Sequence, residues 1–220
     1  MNPCDDRARG RFITLEGGEG VGKSTNVDFV VEHLRGRGLE VVRTREPGGS
    51  PRAERIRTLL LDPAADEPLD QTAELLLMFA ARAQHLAMTI LPALERGAFV
   101  VCDRFTDATY AYQGAGRGID RAAIETLERL VQHGLEPDLT LLLDMPVEAA
   151  LARMNARGAT LDRFETQAPE FFRAVREGYR HRYEAAPQRF ELIDAAPELA
   201  QVQAAIAAVL DRRLAQWETI

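Results

Sequence analysis

Phe12-Ile13-Thr14-Leu15-Glu16-Gly17-Gly18-Glu19-Gly20-Val21-Gly22-Lys23-Ser24-Thr25 begins as a short β-prone run and breaks into glycines. From Gly17 to Ser24 it fits G-x-x-x-x-G-K-[ST], in which backbone N–H groups turn inward around phosphates, the lysine reaches the β/γ-phosphates and the hydroxyl ligates Mg²⁺. Lys23 is the chain's only lysine; all the other members of its 27 Lys and Arg residues are arginine. From Thr25 to Arg35 the apolar residues Val27, Val30, Val31 and Leu34 fall at helical spacing. A strand therefore leads into the loop and a helix leads out. The positive end of that helix and its unpaired N–H groups favour a bound anion. A purely structural glycine-rich turn is the competing reading, and the strand-loop-helix context favours a nucleoside triphosphate over it.

Length and composition bound the rest. At 220 residues the chain suits one α/β core and not two full domains, so residues 1–220 read as a single domain. A formal net charge of −7 gives no reason to expect a nucleic-acid partner. Cys4 and Cys102 make no disulfide framework, and with His33, His85, His133 and His181 they show no metal-ligand spacing. The histidines read as surface or satisfied helix residues, and Cys102, in an apolar run, as a reduced buried thiol. Met1 to Arg11 is polar and lacks the apolar core of a signal peptide; residues 1–10 read as a flexible terminus. No run reaches the expected length of a membrane span, so the expectation is a cytoplasmic protein with no membrane partner.

Strand and helix patterns alternate along the chain, the mark of a parallel sheet covered on both faces. Strands are expected at 12–16, 39–43, 98–102, 139–143 and 190–193. Helices are expected over 52–61, over 70–96 with Pro92 kinking the helix or marking its last turn, over 106–113, from Asp120 to His133, from Pro146 to Arg157, over 169–183 and from Glu198 to about Trp217. Gly114 to Gly118 reads as a loop, and the polar, poorly periodic stretch 157–169 as a small lid. In open α/β sheets ligands bind at the carboxyl ends of the strands, so Gly17, Arg45, Asp103 and Asp144 are expected to converge. Asp103 suits a Mg²⁺ role in phosphoryl transfer, and Arg104 beside it an anion clamp. With no second lysine, the chain cannot carry the Asn-Lys-x-Asp loop by which switch GTPases read guanine.

Six segments together resemble the thymidylate kinases, and more closely their bacterial form. They are Glu16 to Thr25; Thr44-Arg45-Glu46-Pro47-Gly48-Gly49; Phe79-Ala80-Ala81-Arg82-Ala83-Gln84-His85; Asp103-Arg104-Phe105; Tyr110 to Gly114 with Gly116-Arg117-Gly118; and Leu161-Asp162-Arg163-Phe164-Glu165. The resemblance implies a P-loop NTPase three-layer sandwich, a five-stranded parallel sheet in the order 2-3-1-4-5, and the reaction ATP + dTMP giving ADP + dTDP in dTTP synthesis. It implies ATP on Gly17, Gly18, Glu19, Gly20, Val21, Gly22, Lys23, Ser24 and Thr25, with Mg²⁺ on Ser24 and Asp103. Arg45 and Arg104 would grip the acceptor phosphate, and Glu19 would lie near the sugar 3′-hydroxyl. Arg82, Thr109 and Gln113 would face the thymine edge, with Arg57 lining the same space. Members of the family are usually homodimers.

An acidic residue in the P-loop together with arginines in the lid marks the bacterial form. Glu19 meets the first condition; Arg153, Arg157 and Arg163 meet the second, with Arg157 and Arg163 the implied catalytic pair beside Lys23, Asp103 and Arg104. Met78 and Phe79 share a helix face with Arg82 and are both candidates to stack on the base, core packing being the alternative for each. The competing functions are a kinase for another nucleoside monophosphate and a nucleotide-binding regulatory module without transfer chemistry.

Overall fold

The computed structural model describes residues 9–62, 67–156 and 163–218. Five strands, β1 (Phe12–Glu16), β2 (Val41–Arg45), β3 (Phe99–Asp103), β4 (Leu139–Asp144) and β5 (Phe190–Asp194), lie parallel in the order β2-β3-β1-β4-β5. That is the expected order. Every residue of β1 is buried, because helices cover both faces of the sheet. Side chains alternate between the faces. Ile13, Leu15, Val101, Leu139, Leu141 and Leu143 share a core with α1 (Lys23–Arg35) and α9 (Leu199–Glu218). Phe12, Val100 and Cys102 pack on the other side with Leu86, Ile90 and α4 (Leu91–Glu95). A third cluster joins α2 (Pro51–Leu61), α3 (Gln71–His85) and α8 (Pro169–Ala185). The chain is thus a three-layer α/β/α sandwich.

Several boundaries differ from the sequence expectation. β2 begins and ends two residues later than 39–43, and β3, β4 and β5 extend one residue further to Asp103, Asp144 and Asp194. Ladder pairing belongs to the backbone, so a charged side chain does not end a strand; Arg45 pairs with Asp103, and Asp144 with Asp194. The long helix is interrupted before Pro92, by a π-helical turn over Leu86–Ile90. Proline supplies no N–H and crowds the carbonyl four residues back, so the ladder widens upstream of it. Counted from Gln71 to Glu95, this helix is long and apolar enough to cross a membrane by length and composition, contrary to expectation. Here it packs into the core and carries the buried Glu74, Arg82 and His85.

The expected helix over 106–113 is α5 (Thr106–Thr109) followed by a π-helical segment, Tyr110–Gly116, which takes in part of the expected glycine loop. Close contact with α8 explains this. A Cβ at Gly116 would sit 2.6 Å from the Phe171 ring, and one at Gly178 would sit 2.8 Å from Ala111 and Ala115. Asp120 caps α6 (Arg121–Gln132) as expected, accepting from the Ala122 N–H at 2.9 Å. α7 (Val147–Ala156) follows β4. At the N-terminus, Gly10 is buried and donates its N–H to Leu94 O at 2.9 Å, so the ordered chain begins before residue 11. Residues 1–8, most of the expected flexible terminus, and 157–162, the first part of the expected lid, lie outside the described residues.

One buried charge triad ties α5 to α8 and to Arg189, the residue before β5. The carboxylate of Asp107 accepts from Arg182 Nε at 2.7 Å and from Arg189 Nη1 and Nη2 at 2.7 and 2.8 Å. Burial alone would raise its pKa; hydrogen bonds and charge from Arg189, with the charge of Arg182, outweigh burial and hold it below the usual carboxylate value. Asp107→Ala would leave the mostly buried Arg189 without its carboxylate. It should destabilise the fold by about 3–5 kcal/mol in denaturant unfolding, and a loss under about 1 kcal/mol would show that the triad holds nothing together.

Candidate active site

The carboxyl ends of β1, β2 and β3 open into a cleft of about 450 Å³. Gly17 (φ 140°) approaches Leu143 O so closely that a Cβ there would sit 2.4 Å from it, so this turn needs glycine. Glu19, Gly20, Gly22, Lys23, Ser24 and Thr25 line the cleft, while Gly17, Gly18 and Val21 lie behind the loop in a smaller cavity. Lys23 Nζ donates to Gly18 O at 2.5 Å, folding the ammonium back over its own loop. Burial, then the charge of Arg104, lowers its pKa to about 8, against the carboxylates of Glu19 and Asp103.

The opposite wall is built by arginines. Arg104 sits at φ 69°, an uncommon conformation for a non-glycine residue, at the turn leaving β3. Its Nη1 donates to Gly17 O and to Tyr179 Oη, both at 2.9 Å; its Nη2 donates to Glu19 Oε1 at 2.6 Å, and the guanidinium lies 4.7 Å from the Tyr112 ring centre. Tyr112 Oη also donates to Glu19 Oε1, at 2.8 Å. Arg45, half exposed, makes a two-point pair with Glu54 at 3.2 and 2.8 Å. Arg57 donates to Pro47 O at 2.8 Å, and burial, then the charge of Arg45, lowers its pKa. Asp103 lines the same cleft, and its Oδ1 is a buried acceptor with no hydrogen-bond partner among the described residues.

Deeper in the cleft, Arg82 is 2% exposed and is held on three sides. Nε donates to Glu46 Oε2 at 2.7 Å, Nη2 donates to Thr109 Oγ1 at 3.0 Å, and the guanidinium lies between the rings of Phe79 and Phe105 at 4.7 and 5.1 Å. Nη1 is buried and has no hydrogen-bond partner among the described residues. Met78 and Gln113 line the cleft with it. Phe79 does not line it. One residue further round α3, it packs with Leu75, Tyr110 and Ile124 beneath Arg82, which corrects its expected place against a base.

Two further placements differ from expectation. Asp144 lies outside the cleft, accepting from Arg176 Nε and Nη2 at 2.6 and 2.9 Å. Arg163 is not among the cleft residues: its Nη2 stands 2.7 Å from Glu74 Oε2, and its Nε donates to Leu60 O at 2.9 Å. Arg153 lines the cleft but donates to Ala195 O and Ala196 O, each at 2.7 Å. Arg157 lies outside the described residues.

Three buried carboxylates were not singled out from sequence. Glu16, at the end of β1, accepts from the Phe105 N–H at 2.6 Å and from Tyr179 Oη at 2.9 Å; burial, then the charge of Asp107, pushes its pKa up to about 8. Glu46 faces both Arg82 and His85, whose Nδ1 is 3.0 Å from Glu46 Oε1 and whose Nε2 is 2.6 Å from Thr44 Oγ1. Glu74 is the partner of Gln113 and Arg163. The signal available for Glu16 and Glu74 was an acidic residue within an otherwise apolar element; Glu46, in a polar loop after β2, carried no such signal.

Comparison with known proteins agrees with this geometry. The family model for thymidylate kinase matches residues 15–206. A thymidylate kinase of Chromohalobacter salexigens is 71% identical over 208 residues, covering 94% of this chain and 98% of the relative. One from Pseudomonas putida is 62% identical over 201 residues, covering 91% and 95%. The crystal structure of thymidylate kinase from Ehrlichia chaffeensis superposes with a TM-score of 0.74 at 33% identity, over 92% of this chain and 99% of that one. With the P-loop, the arginine wall and these relatives in agreement, the chain belongs to the thymidylate kinase family.

Proposed function

We infer that the chain transfers the terminal phosphoryl group of ATP to dTMP, giving ADP and dTDP. The observation that carries this reading is the meeting, in one cleft, of the P-loop lysine, Arg104 and the deep, partly unpaired Arg82. Phosphoryl transfer asks little covalent chemistry of a protein, so aligning two anions and neutralising their charge is most of the task. The relatives do not favour a different monophosphate acceptor, nor a module without transfer chemistry.

Lys23 and the loop amides hold the ATP phosphates, and Arg45 and Arg104 hold the phosphate of dTMP with Arg57 beside them. Glu54 and Glu19 now occupy two of these arginines. The Arg45–Glu54 pair is half exposed, and such pairs contribute only about 0–1 kcal/mol, so a phosphate dianion can displace the carboxylate. Ser24 and the unpartnered Oδ1 of Asp103 fit Mg²⁺, which takes few protein ligands beside nucleotide phosphates. Bound there, the ion would neutralise charge on the phosphoryl oxygens.

Of the two lid arginines we assign the transferred phosphoryl to Arg157, because Arg163 is already paired with Glu74. Were Arg163 to leave Glu74, that buried carboxylate would lose its near guanidinium and keep Gln113 Nε2 at 2.7 Å and Arg117 Nε at 3.5 Å. Breaking a buried pair in this way costs about 3–5 kcal/mol, so Arg163 serves as the lid's anchor. We further propose a homodimer, using exposed apolar residues such as Leu76, Met88 and Leu91 along the Gln71–Glu95 helix.

No other lysine can replace Lys23. Lys23→Met should keep the circular dichroism of the parent and lose at least about 10²-fold in ADP release, and retention of more than a tenth of the activity would sink the assignment. Arg157→Ala should lower kcat far more than it raises either KM, the signature of a group acting only in the transition state, whereas Arg163→Ala should act mainly on the melting temperature and on KM. Equal losses of kcat in both variants would refute this division of labour between them.

Base choice follows from hydrogen-bond polarity. The kcat/KM order should be dTMP, then dUMP within about 1–3 kcal/mol, then dCMP and purine monophosphates lower by several orders of magnitude. Arg82→Ala should narrow the gap between dTMP and dCMP. Comparable turnover of both by the unmutated protein would refute the assigned base pocket.

A further inference from the structure

The wall formed by Arg82, Thr109 and Gln113 needs more than placement to read a base, because one of its members has no polarity of its own. Arg82 can only donate, whichever way it turns. The Thr109 oxygen already accepts from Arg82. Gln113 has a donor and an acceptor of nearly equal shape at its tip, and exchanging them inverts what the wall presents. Something must fix that choice.

We propose that Glu74 is the positioning residue that sets the hydrogen-bond polarity of the base pocket, acting through Gln113. Both residues are 1% exposed. Gln113 Nε2 donates to Glu74 Oε1 at 2.7 Å. The other groups near that carboxylate are guanidinium nitrogens, Arg163 Nη2 in an ion pair at 2.7 Å and Arg117 Nε at 3.5 Å, so every one of these neighbours turns N–H groups towards Glu74 and favours it as an acceptor. A flipped amide would set oxygen against oxygen where no water can intervene. The amide nitrogen is therefore committed to Glu74, and the amide oxygen is the end offered to the cleft that Gln113 lines. Four residues from Gln113, Thr109 holds Arg82, whose buried Nη1 has no hydrogen-bond partner among the described residues. The wall thus offers a donor beside an acceptor. A base edge carrying a carbonyl next to a ring N–H complements it, and an edge carrying an amino group next to an unprotonated ring nitrogen opposes it at both points.

This proposal rests on the reading that the cleft binds dTMP. Its test is kcat/KM for dTMP, dUMP and dCMP in the parent, Glu74→Gln, Gln113→Leu and the double variant. Glutamine at position 74 keeps the shape but can donate as well as accept, which frees Gln113 to turn. The dTMP/dCMP ratio of Glu74→Gln should fall about tenfold or more, while the dTMP/dUMP ratio stays within about twofold because those two bases share one edge polarity. Simple damage to the pocket would move all three substrates together and would overturn the proposal. In the Gln113→Leu background, Glu74→Gln should change the dTMP/dCMP ratio no further; an undiminished second effect would show that Glu74 does not act through Gln113. Should Glu74→Gln not fold by circular dichroism, Glu74→Asp, which withdraws the acceptor by one methylene, carries the same expected pattern and the same refutation. Turnover of dTMP with an unchanged dTMP/dCMP ratio would overturn the proposal alone. Absence of dTMP turnover in the parent would overturn the reading of the cleft and the proposal with it.

Discussion

The carboxylate of Glu16 holds the site together. It stands at the last position of the central strand, wholly buried, and accepts from the Phe105 N–H and from Tyr179 Oη. Through the first bond it fixes the turn leaving β3, where Arg104 is held at φ 69°. Through the second it fixes the tyrosine of α8 that shares the Arg104 guanidinium. A non-glycine residue in the left-handed region costs about 1–2 kcal/mol, and a turn of that kind persists only where its surroundings over-determine it. Glu16 also carries a cost of its own. With its pKa raised to about 8 from the ordinary 4.5, chiefly by burial and then by Asp107, its contribution to stability declines as pH rises from 4.5 towards 8. Strand β1 thus supplies both the P-loop and the brace for the facing wall, which sets the spacing between the donor and acceptor ends of the cleft.

A second constraint is that the cleft gathers cations in a chain of net charge −7. Three guanidinium groups that would meet a phosphate or a base already have a carboxylate: Glu54 for Arg45, Glu19 for Arg104 and Glu46 for Arg82. Depth decides what these pairs do. The Arg45 pair is half exposed and exchangeable, whereas Arg82 and Glu46 are each under 5% exposed and permanently matched. An unmatched buried charge would be strongly destabilising, so the deep arginine needs its glutamate, and Glu46 in turn needs His85 at its other oxygen.

The sequence was most readable where one element has one job. The P-loop, the alternating strands and helices, and Asp103 and Arg104 at a strand end were all legible, because spacing alone carries those signals. Resolution failed where a single residue step matters. On a helix one residue is a turn of about 100°, so Met78 and Phe79 both looked fit to face Arg82, yet Met78 lines the cleft and Phe79 lies beneath the guanidinium. Periodicity also could not foresee the π-helical turns at Leu86–Ile90 and Tyr110–Gly116, which depend on a proline downstream and on close packing against α8. Arg163 carried a lid motif, but its partner Glu74 is 89 positions away in the chain and only the fold brings them together.

The distribution of basic side chains follows the geometry each position needs. Between two rings only a flat cation fits, and guanidinium groups lie between Phe79 and Phe105 and against Tyr112. Those groups act as walls, each donating in several fixed directions at once. The P-loop needs the reverse, a compact charge on a flexible stem that can leave one oxygen and follow another as phosphates arrive. Lys23 now rests on Gly18 O, a weak acceptor compared with phosphate, and burial together with Arg104 has already lowered its hold on its proton. An incoming triphosphate therefore relieves a buried cation as well as gaining one, and that differential favours the loaded loop over the empty one.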